Sequence, residues 1–418
     1  MPKDLRVSLL GETVGSLRQE ASGRLTFTYD PAWLGKPKSR PISLSLPLQQ
    51  ETFDDRSVRP FFAGLLPDED ARERLARYLG ISRHNDFALL AEVGGECAGA
   101  VALHPPGSEL RPDAGELGPL DAGTLGEFLR DLPRRPLLVG GELRLSLAGA
   151  QDKMALIYRG GEFYLPSGDQ PTTHILKPAI KHFSETVANE FFCLRLADHF
   201  GLGVPKVEMG SVDDVPFLLV ERYDRALGPG DQIQRLHQED FCQALAIPPE
   251  QKYQGEGGPS LEQCFGLLDV CSRPVLDRLE LLKRVIFNYL IGNADAHGKN
   301  FALLHLDTGS ELAPAYDLLC TTVYPDHTDQ MAMKMGGKRR FSEVFPRHWE
   351  RFAQDVGFAP PRVKKDLMTM ARRLPIEARQ LAEELRPSLQ ESALAMVNRM
   401  CDQFGHHAEH VQRWAAAP

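Results

Sequence analysis

Apolar and polar positions alternate through "LRVSLLGETVGSLRQEASGRLTFTYD" near the start of the chain, with Gly at the candidate turns. That period belongs to half-buried strands and predicts a β-rich opening. "PDEDARERLARYLG" changes the period to that of a helix, opened by acids and closed by Gly80. "HPPGSELRPDAGELGPLDAG" then breaks every periodicity and marks a domain boundary. From Leu137 the pattern is β-rich again: "ELRLSLAGAQDKMALIY" reads as strand, loop, strand, and "GGEFYLP" and "THILKPA" as further strands. "SETVANEFFCLRLADHFGLGVP" predicts a helix with Ser184 as N-cap and Gly201 as stop. "FLLVERYDR" is a β-like run ending in charge. Beyond it the chain is mostly helical, including "LEQCFGLLDVCSR" and "LDRLELLKRVIFNYLIGN". A small β-rich lobe followed by a larger helical one often leaves a ligand cleft.

Composition narrows the reading. A chain of 418 residues exceeds what one core usually serves, so two or three domains are expected. A net charge of -9 argues against a chain that coats nucleic acid by itself, though not against a DNA-binding partner. The seven cysteines form no C-x-x-C pair, which suits packing thiols in a reducing cytoplasm. The N-terminus has no uninterrupted apolar stretch of the signal-peptide kind, and no segment approaches membrane-spanning length, so a cytoplasmic protein without membrane contact is expected.

The chemistry concentrates in "NADAHGKN", which follows the apolar run "VIFNYLIG". Asp295 and Asn300 have the interval of the kinase catalytic loop, in which the Asp accepts the substrate hydroxyl proton and the Asn holds a metal. "FALLHL", "DTGS" and "ELAPAY" then predict a hairpin. With its turn centred on Thr308 and Gly309, Asn300 faces Asp317, and amide and carboxylate form an oxygen site suited to Mg²⁺. His297 is expected to order the loop through hydrogen bonds. His407 and His410 in "HHAEH" read as a solvated helix end rather than a metal site.

A kinase also needs a cation and a loop for the nucleotide phosphates. Lys177 is the candidate cation, against the alternative of a solvated charge on an edge strand. "SLAGAQDK" is the candidate loop: Ala148, Gly149 and Ala150 allow close backbone approach, and Gln151 extends the run of amides. "ERYDR" joins the two halves, where backbone groups could meet adenine and Tyr223 could offer an apolar face. The basic run "KMGGKRR" reads either as a solvated loop or as a patch that steers an anionic surface.

The order of "SLAGAQDK", "PTTHILKP", "ANEFFCLRLA", "VERYDR", "HQEDFCQAL", "NADAHGKNF" and "PAYDLL" resembles HipA-type toxin kinases, from about Leu5 to His410. The resemblance implies an α+β, bilobal, protein-kinase-like fold with a β-rich N-lobe, a helical C-lobe and an extra N-terminal β-rich subdomain. Expected domains are 1–105 for that subdomain, 106–225 for the N-lobe and 226–418 for the C-lobe. It implies Asp295 as catalytic residue, Asn300 and Asp317 on Mg²⁺, and Lys177 on the ATP phosphates. Glu221 and Tyr223 then lie at the adenine hinge, His297 and Lys299 join the nucleotide-binding set, and Ser146 is an autophosphorylation site. Implied partners are a helix-turn-helix, HipB-like antitoxin, operator DNA through that complex, and a translation component such as glutamyl-tRNA synthetase, whose phosphorylation arrests growth and favours persistence. A small-molecule kinase and a catalytically silent antitoxin-binding corepressor are the alternatives. Asn293 and Ala294 stand where eukaryotic kinases have His-Arg, a departure that fits the HipA type.

Overall fold

Leu25, Phe27 and Tyr29 are buried while Thr26 and Thr28 are half-buried, the alternation that one packed sheet face imposes. The strand they form, β3 (Leu25–Tyr29), is the edge of an antiparallel sheet with β1 (Asp4–Leu9), β2 (Glu12–Gln19) and β4 (Val101–His104), in the order β3-β2-β1-β4. Leu5, Val7, Leu17 and Phe27 carry this sheet's face into a core shared with Phe61, Phe62 and Leu90. Helix Glu69–Leu79 forms as its pattern requires, and Gly80 ends it at φ +67°.

The computed structural model describes residues 4–108, 118–134, 148–149, 151–166, 170–228, 230 and 232–416. By contacts the chain divides into two units. The first comprises Met1–Pro178, Gly210–Gln251 and Ala302–Asp307. Besides the sheet above, it holds strands β5 (Met154–Arg159), β6 (Glu162–Tyr164) and β7 (His174–Pro178). With β8 (Val207–Val212) and β9 (Val215–Glu221) they form a five-stranded sheet in the order β6-β5-β7-β9-β8. Strands β10 (Arg225–Leu227) and β11 (Ile233–Arg235) pair with each other, as do β12 (His237–Asp240) and β13 (Ala302–Leu306). The second unit, Ala179–Met209, Lys252–Phe301 and Thr308–Pro418, is mainly helical, with helices Thr186–His199, Pro274–Leu290, Pro360–Leu385 and Glu391–Ala416. The fold is α+β. No helix among the described residues is long and apolar enough to cross a membrane. All seven cysteines are free and buried.

Two local expectations change. Ser184 does not cap its helix: Glu185, in the left-handed region at φ 55°, takes the N-cap position, and its carbonyl accepts the first helical bond from Asn189. The chain turns at Asp307 and Thr308, since β13 ends at Leu306 and β14 (Gly309–Leu312) begins at Gly309. Neither strand reaches Asn300 or Asp317, so strand register is not what brings amide and carboxylate into one site.

Strand β12 is anchored by buried polar groups. Glu239 accepts from the Leu44 amide at 2.9 Å and pairs with His305 at 3.0 Å. His237 donates from Nε2 to the Ile42 carbonyl at 2.8 Å. Burial, with the nearby His305, lowers the His237 pKa to about 3. Its folded value therefore lies below the unfolded one. Below about pH 6.5 the unfolded chain takes up a proton that the native chain refuses, so stability is present at neutral pH and declines as pH falls toward 3. Urea midpoints measured across this range should fall with acid. His237→Gln should flatten the fall by up to about 1.4 kcal/mol per pH unit. An unchanged slope in H237Q would assign the acid sensitivity elsewhere.

Candidate active site

Helix Pro274–Leu290 delivers the chain to Gly292, which turns at φ +70°. From there the polar stretch is enclosed, with Asn293, His297 and Lys299 all buried. Buried polar groups must find partners, and here they find them mostly within the same unit. The Asn293 side chain donates to Asn288 Oδ1 at 2.8 Å and to the Asp317 carbonyl at 3.4 Å, and its Oδ1 accepts from the Asp295 amide at 3.1 Å. The Ala294 amide donates to the Thr321 hydroxyl at 2.8 Å, which itself donates to the Gly292 carbonyl at 3.1 Å. The Asn300 side-chain amide donates to the Asp295 carbonyl at 2.9 Å, and Tyr316 Oη donates to the Lys299 carbonyl at 2.7 Å.

These bonds fix Asp295. Its Oδ1 accepts from Tyr253 Oη at 2.7 Å, while its Oδ2 carries no hydrogen bond among the described residues. Burial raises the Asp295 pKa, the Tyr253 bond and the Lys252 charge oppose that shift, and the Asp317 charge adds to it. Asp317 is therefore an electrostatic neighbour of Asp295. It stands at φ 50°, a left-handed conformation uncommon outside Gly and tolerated best by Asn and Asp. Asn300 spends its amide nitrogen on Asp295 and keeps Oδ1 without a partner among the described residues. The Asn300 amide oxygen and the Asp317 carboxylate, each linked to Asp295, are oxygen donors of the kind that fit Mg²⁺. His297 orders the loop through its backbone, whose amide donates to the Asp295 carbonyl at 2.7 Å and whose carbonyl accepts from the Asn300 amide at 3.0 Å; its ring Nδ1 has no hydrogen-bond partner among the described residues, and the ring packs edge-on against Tyr253 at 5.2 Å. Burial, with Lys252 and Lys299 nearby, holds its pKa well below the ordinary value, so it sits neutral.

Of the expected nucleotide residues, His297, Lys299 and Asn300 lie in the second unit, and Gly149, Gln151, Lys177, Glu221 and Tyr223 lie in the first. Lys177 is on β7, the middle strand of its sheet, and is buried, so it is not a solvated edge charge. Gln151 donates to the Pro178 carbonyl at 3.1 Å and so ties the candidate loop to the Lys177 strand. Gly149 adopts φ +109°, and Lys153 Nζ donates to the Ala148 carbonyl at 2.6 Å. Ser146 and Ala150 lie outside the described residues. Glu221 ends β9 and Tyr223 follows it, both half-buried.

Alternate side chains of that segment enter a buried ion network. Arg222 binds Asp224 at 2.7 Å and Glu96 at 3.2 Å, Arg225 binds Glu96 at 2.8 Å, and the Gly99 amide donates to Asp224 at 2.6 Å. Burial opposes the Glu96 charge, but Arg235, Arg225 and Arg222 overcome it and hold the carboxyl below its usual range.

Lys252, Tyr253 and Thr321 were not found by sequence reasoning. They lie outside the loop's spacing, and "QKYQGEGGPS" carries no motif that links it to Asp295. The histidine run also differs from expectation. His407 is half-buried, donates to the Leu290 carbonyl at 3.2 Å, and has its pKa lowered to about 4 by burial. The basic run is a hairpin of β15 (Gln330–Met335) and β16 (Lys338–Arg340), not a loop. Two of its cations are paired: Lys338 with Glu343 at 3.4 Å and Arg340 with Asp329 at 3.2 Å.

Comparison with known proteins adds an independent line. The family model described as HipA-like C-terminal domain matches residues 145–381, and the one described as HipA N-terminal domain matches residues 5–104. Y4mE of Sinorhizobium fredii is 48% identical over 86% of this chain and 87% of its own length. The serine/threonine-protein kinase toxin HipA of Shewanella oneidensis is 34% identical over 80% of this chain and 79% of its own. A solved structure of Shewanella oneidensis HipA with HipB and operator DNA aligns at TM-score 0.86 and 30% identity, covering 99% of this chain and all of that one. With the site above, these findings define a serine/threonine protein kinase. The chain belongs to the HipA family.

The Tyr253 bond yields a test. A hydrogen bond to a charged group contributes about 1.5–3 kcal/mol. Tyr253→Phe should lower the rate of phosphoryl transfer by roughly tenfold or more while nucleotide affinity stays near wild type. Affinity that falls in step with the rate would mean that Tyr253 supports the fold of the site rather than the Asp295 carboxylate.

Proposed function

We propose that this chain is the toxin kinase of a HipA/HipB-like pair and transfers the γ-phosphoryl group of Mg-ATP to a serine or threonine hydroxyl of a protein. The observation that carries this reading is the Asp295 carboxylate, held through one oxygen by Tyr253 and open at the other, beside Asn300 and Asp317. Asp295 Oδ2 orients the incoming hydroxyl and takes its proton. Asn300 and Asp317 would hold Mg²⁺, which would neutralise phosphate charge. Lys177 fixes the phosphates, Lys299 and His297 complete the nucleotide side of the loop, and the backbone of Ala148 to Gln151 approaches the phosphates closely. Glu221 and Tyr223 receive adenine. Positioning and charge neutralisation carry such a reaction, since the protein has little covalent chemistry to do.

The domain division 1–105, 106–225 and 226–418 belongs to this reading, and the N-terminal family match ending at residue 104 supports its first boundary. The Shewanella oneidensis relative was solved with HipB and its operator DNA, which supports a helix-turn-helix antitoxin as partner here and DNA contact through that complex. By resemblance, the target is an aminoacyl-tRNA synthetase such as glutamyl-tRNA synthetase, with growth arrest and persistence as outcome, and Ser146 is autophosphorylated. The cytoplasm is the compartment where such a target resides.

Asp295→Asn keeps size and hydrogen bonding but removes the base. It should abolish γ-phosphoryl transfer and leave ATP binding largely intact, and wild-type turnover would refute the assignment. Asp317→Ala should instead remove the magnesium dependence of nucleotide affinity, read by titrating Mg²⁺ at fixed nucleotide. Phosphoproteomics after induced expression would name the substrate. Phosphate found on small hydroxyl compounds alone would favour a small-molecule kinase.

A further inference from the structure

A cavity of about 480 Å³ in the helical unit is lined by the segment that follows Asp317 and by the end of helix Glu391–Ala416. Its polar lining includes Thr322, His327, Ser342, His406, His410 and Arg413, and Tyr289, Tyr324 and Phe341 supply aromatic wall. None of these residues is assigned to nucleotide, metal or substrate above, although His327 is an electrostatic neighbour of Asp295.

The lining carries one carboxylate and one guanidinium, those of Asp329 and Arg413. Arg340 engages Asp329 at 3.2 Å. The Arg413 guanidinium has no carboxylate partner among the described residues; its Nε reaches only the Glu409 carbonyl, at 3.4 Å. Hydroxyl donors from Thr322, Thr328 and Ser342 stand in the same lining. A cation without a counter-ion, hydroxyl donors and aromatic faces together suit an anion carried on a flat ring. The volume is that of a small-molecule site.

The cavity also touches the loop that carries Asp295. A Cβ placed on Gly292 would lie 2.1 Å from Thr322 Oγ1 and 2.7 Å from His407 Cε1, so both lining residues close on that glycine. The Thr322 amide donates to the Gly292 carbonyl at 3.2 Å, and His407 donates to Leu290 at 3.2 Å. Gly292 directly precedes Asn293. Movement of Thr322 or His407 therefore reaches the backbone that sets Asp295.

We propose that this cavity binds a small phosphate monoester borne on a planar ring, and that its occupant biases the position of the Asn293–Asn300 loop. The binding half is independent of the kinase reading, and the regulatory half rests on it. Phenyl phosphate is the probe and phenol its uncharged control, both used on the full chain without ATP. Carbethoxylation of His406 and His410, read by peptide mass, should slow with phenyl phosphate and not with phenol. Arg413→Gln should weaken that protection by roughly tenfold, the loss of about one charge-assisted contact. His410→Gln, read at His406, should weaken it too and guards against misfolding of one variant. Amide exchange at residues 292–296 should slow on binding in the wild type and not in R413Q. Absent protection, equal protection by phenol, or protection undiminished in both variants would overturn the site. Protection with unchanged exchange at residues 292–296 would overturn the coupling. Neither readout depends on phosphoryl transfer, so an inactive kinase would leave the binding site standing and remove only the regulatory meaning of the loop's response.

Discussion

A buried polar loop holds its shape only if its donors and acceptors are paired inside the protein, and the stretch from Asn293 to Asn300 is such a loop. Asn293 does most of that pairing. Its side chain joins the end of the preceding helix, the Asp295 amide and the Asp317 carbonyl. Thr321 closes the other side through Ala294 and Gly292. These bonds leave Asp295 Oδ2 and Asn300 Oδ1 without a hydrogen-bond partner among the described residues. The loop is polar because it is enclosed, and these open oxygens are the ones to which the proposed phosphoryl transfer assigns a role.

Electrostatics sorts the remaining groups. Burial raises the Asp295 pKa, while Lys252 and the Tyr253 hydroxyl counter that effect and favour the carboxylate. The same burial, with Lys252 and Lys299, keeps His297 neutral, so the imidazole adds no charge beside the aspartates. In the other unit, the ion network around Glu96 holds the alternate residues Arg222 and Asp224. That anchoring leaves Glu221 and Tyr223 on positions which the buried arginines cannot disturb. Both units thus use buried, mutually bonded polar groups to hold a few others in place.

Much of this was legible in the sequence because it is local. The alternation in β3, the helix closed by Gly80, and the Asp295–Asn300 interval each follow from neighbouring residues. What failed depended on distant ones. Ser184 has cap chemistry, but the chain enters its helix through Glu185. The hairpin turn falls on Asp307 and Thr308, so pairing arithmetic could not place Asp317; its link to Asn293 does. Tyr253 and Lys252 reach Asp295 from a segment with no periodic signal. His407 looks solvated in "HHAEH", yet one helical face packs it against Leu290.

In the proposed reaction, Asn300 and Asp317 form a metal site beside an Asp295 that stays free of metal. A crystal structure with Mn²⁺ and a non-hydrolysable ATP analogue, read by the anomalous signal of manganese, tests it most directly. Manganese is expected on Asn300 and Asp317, with Asp295 Oδ1 still bound to Tyr253. Manganese ligated by Asp295, or placed away from both Asn300 and Asp317, would contradict it.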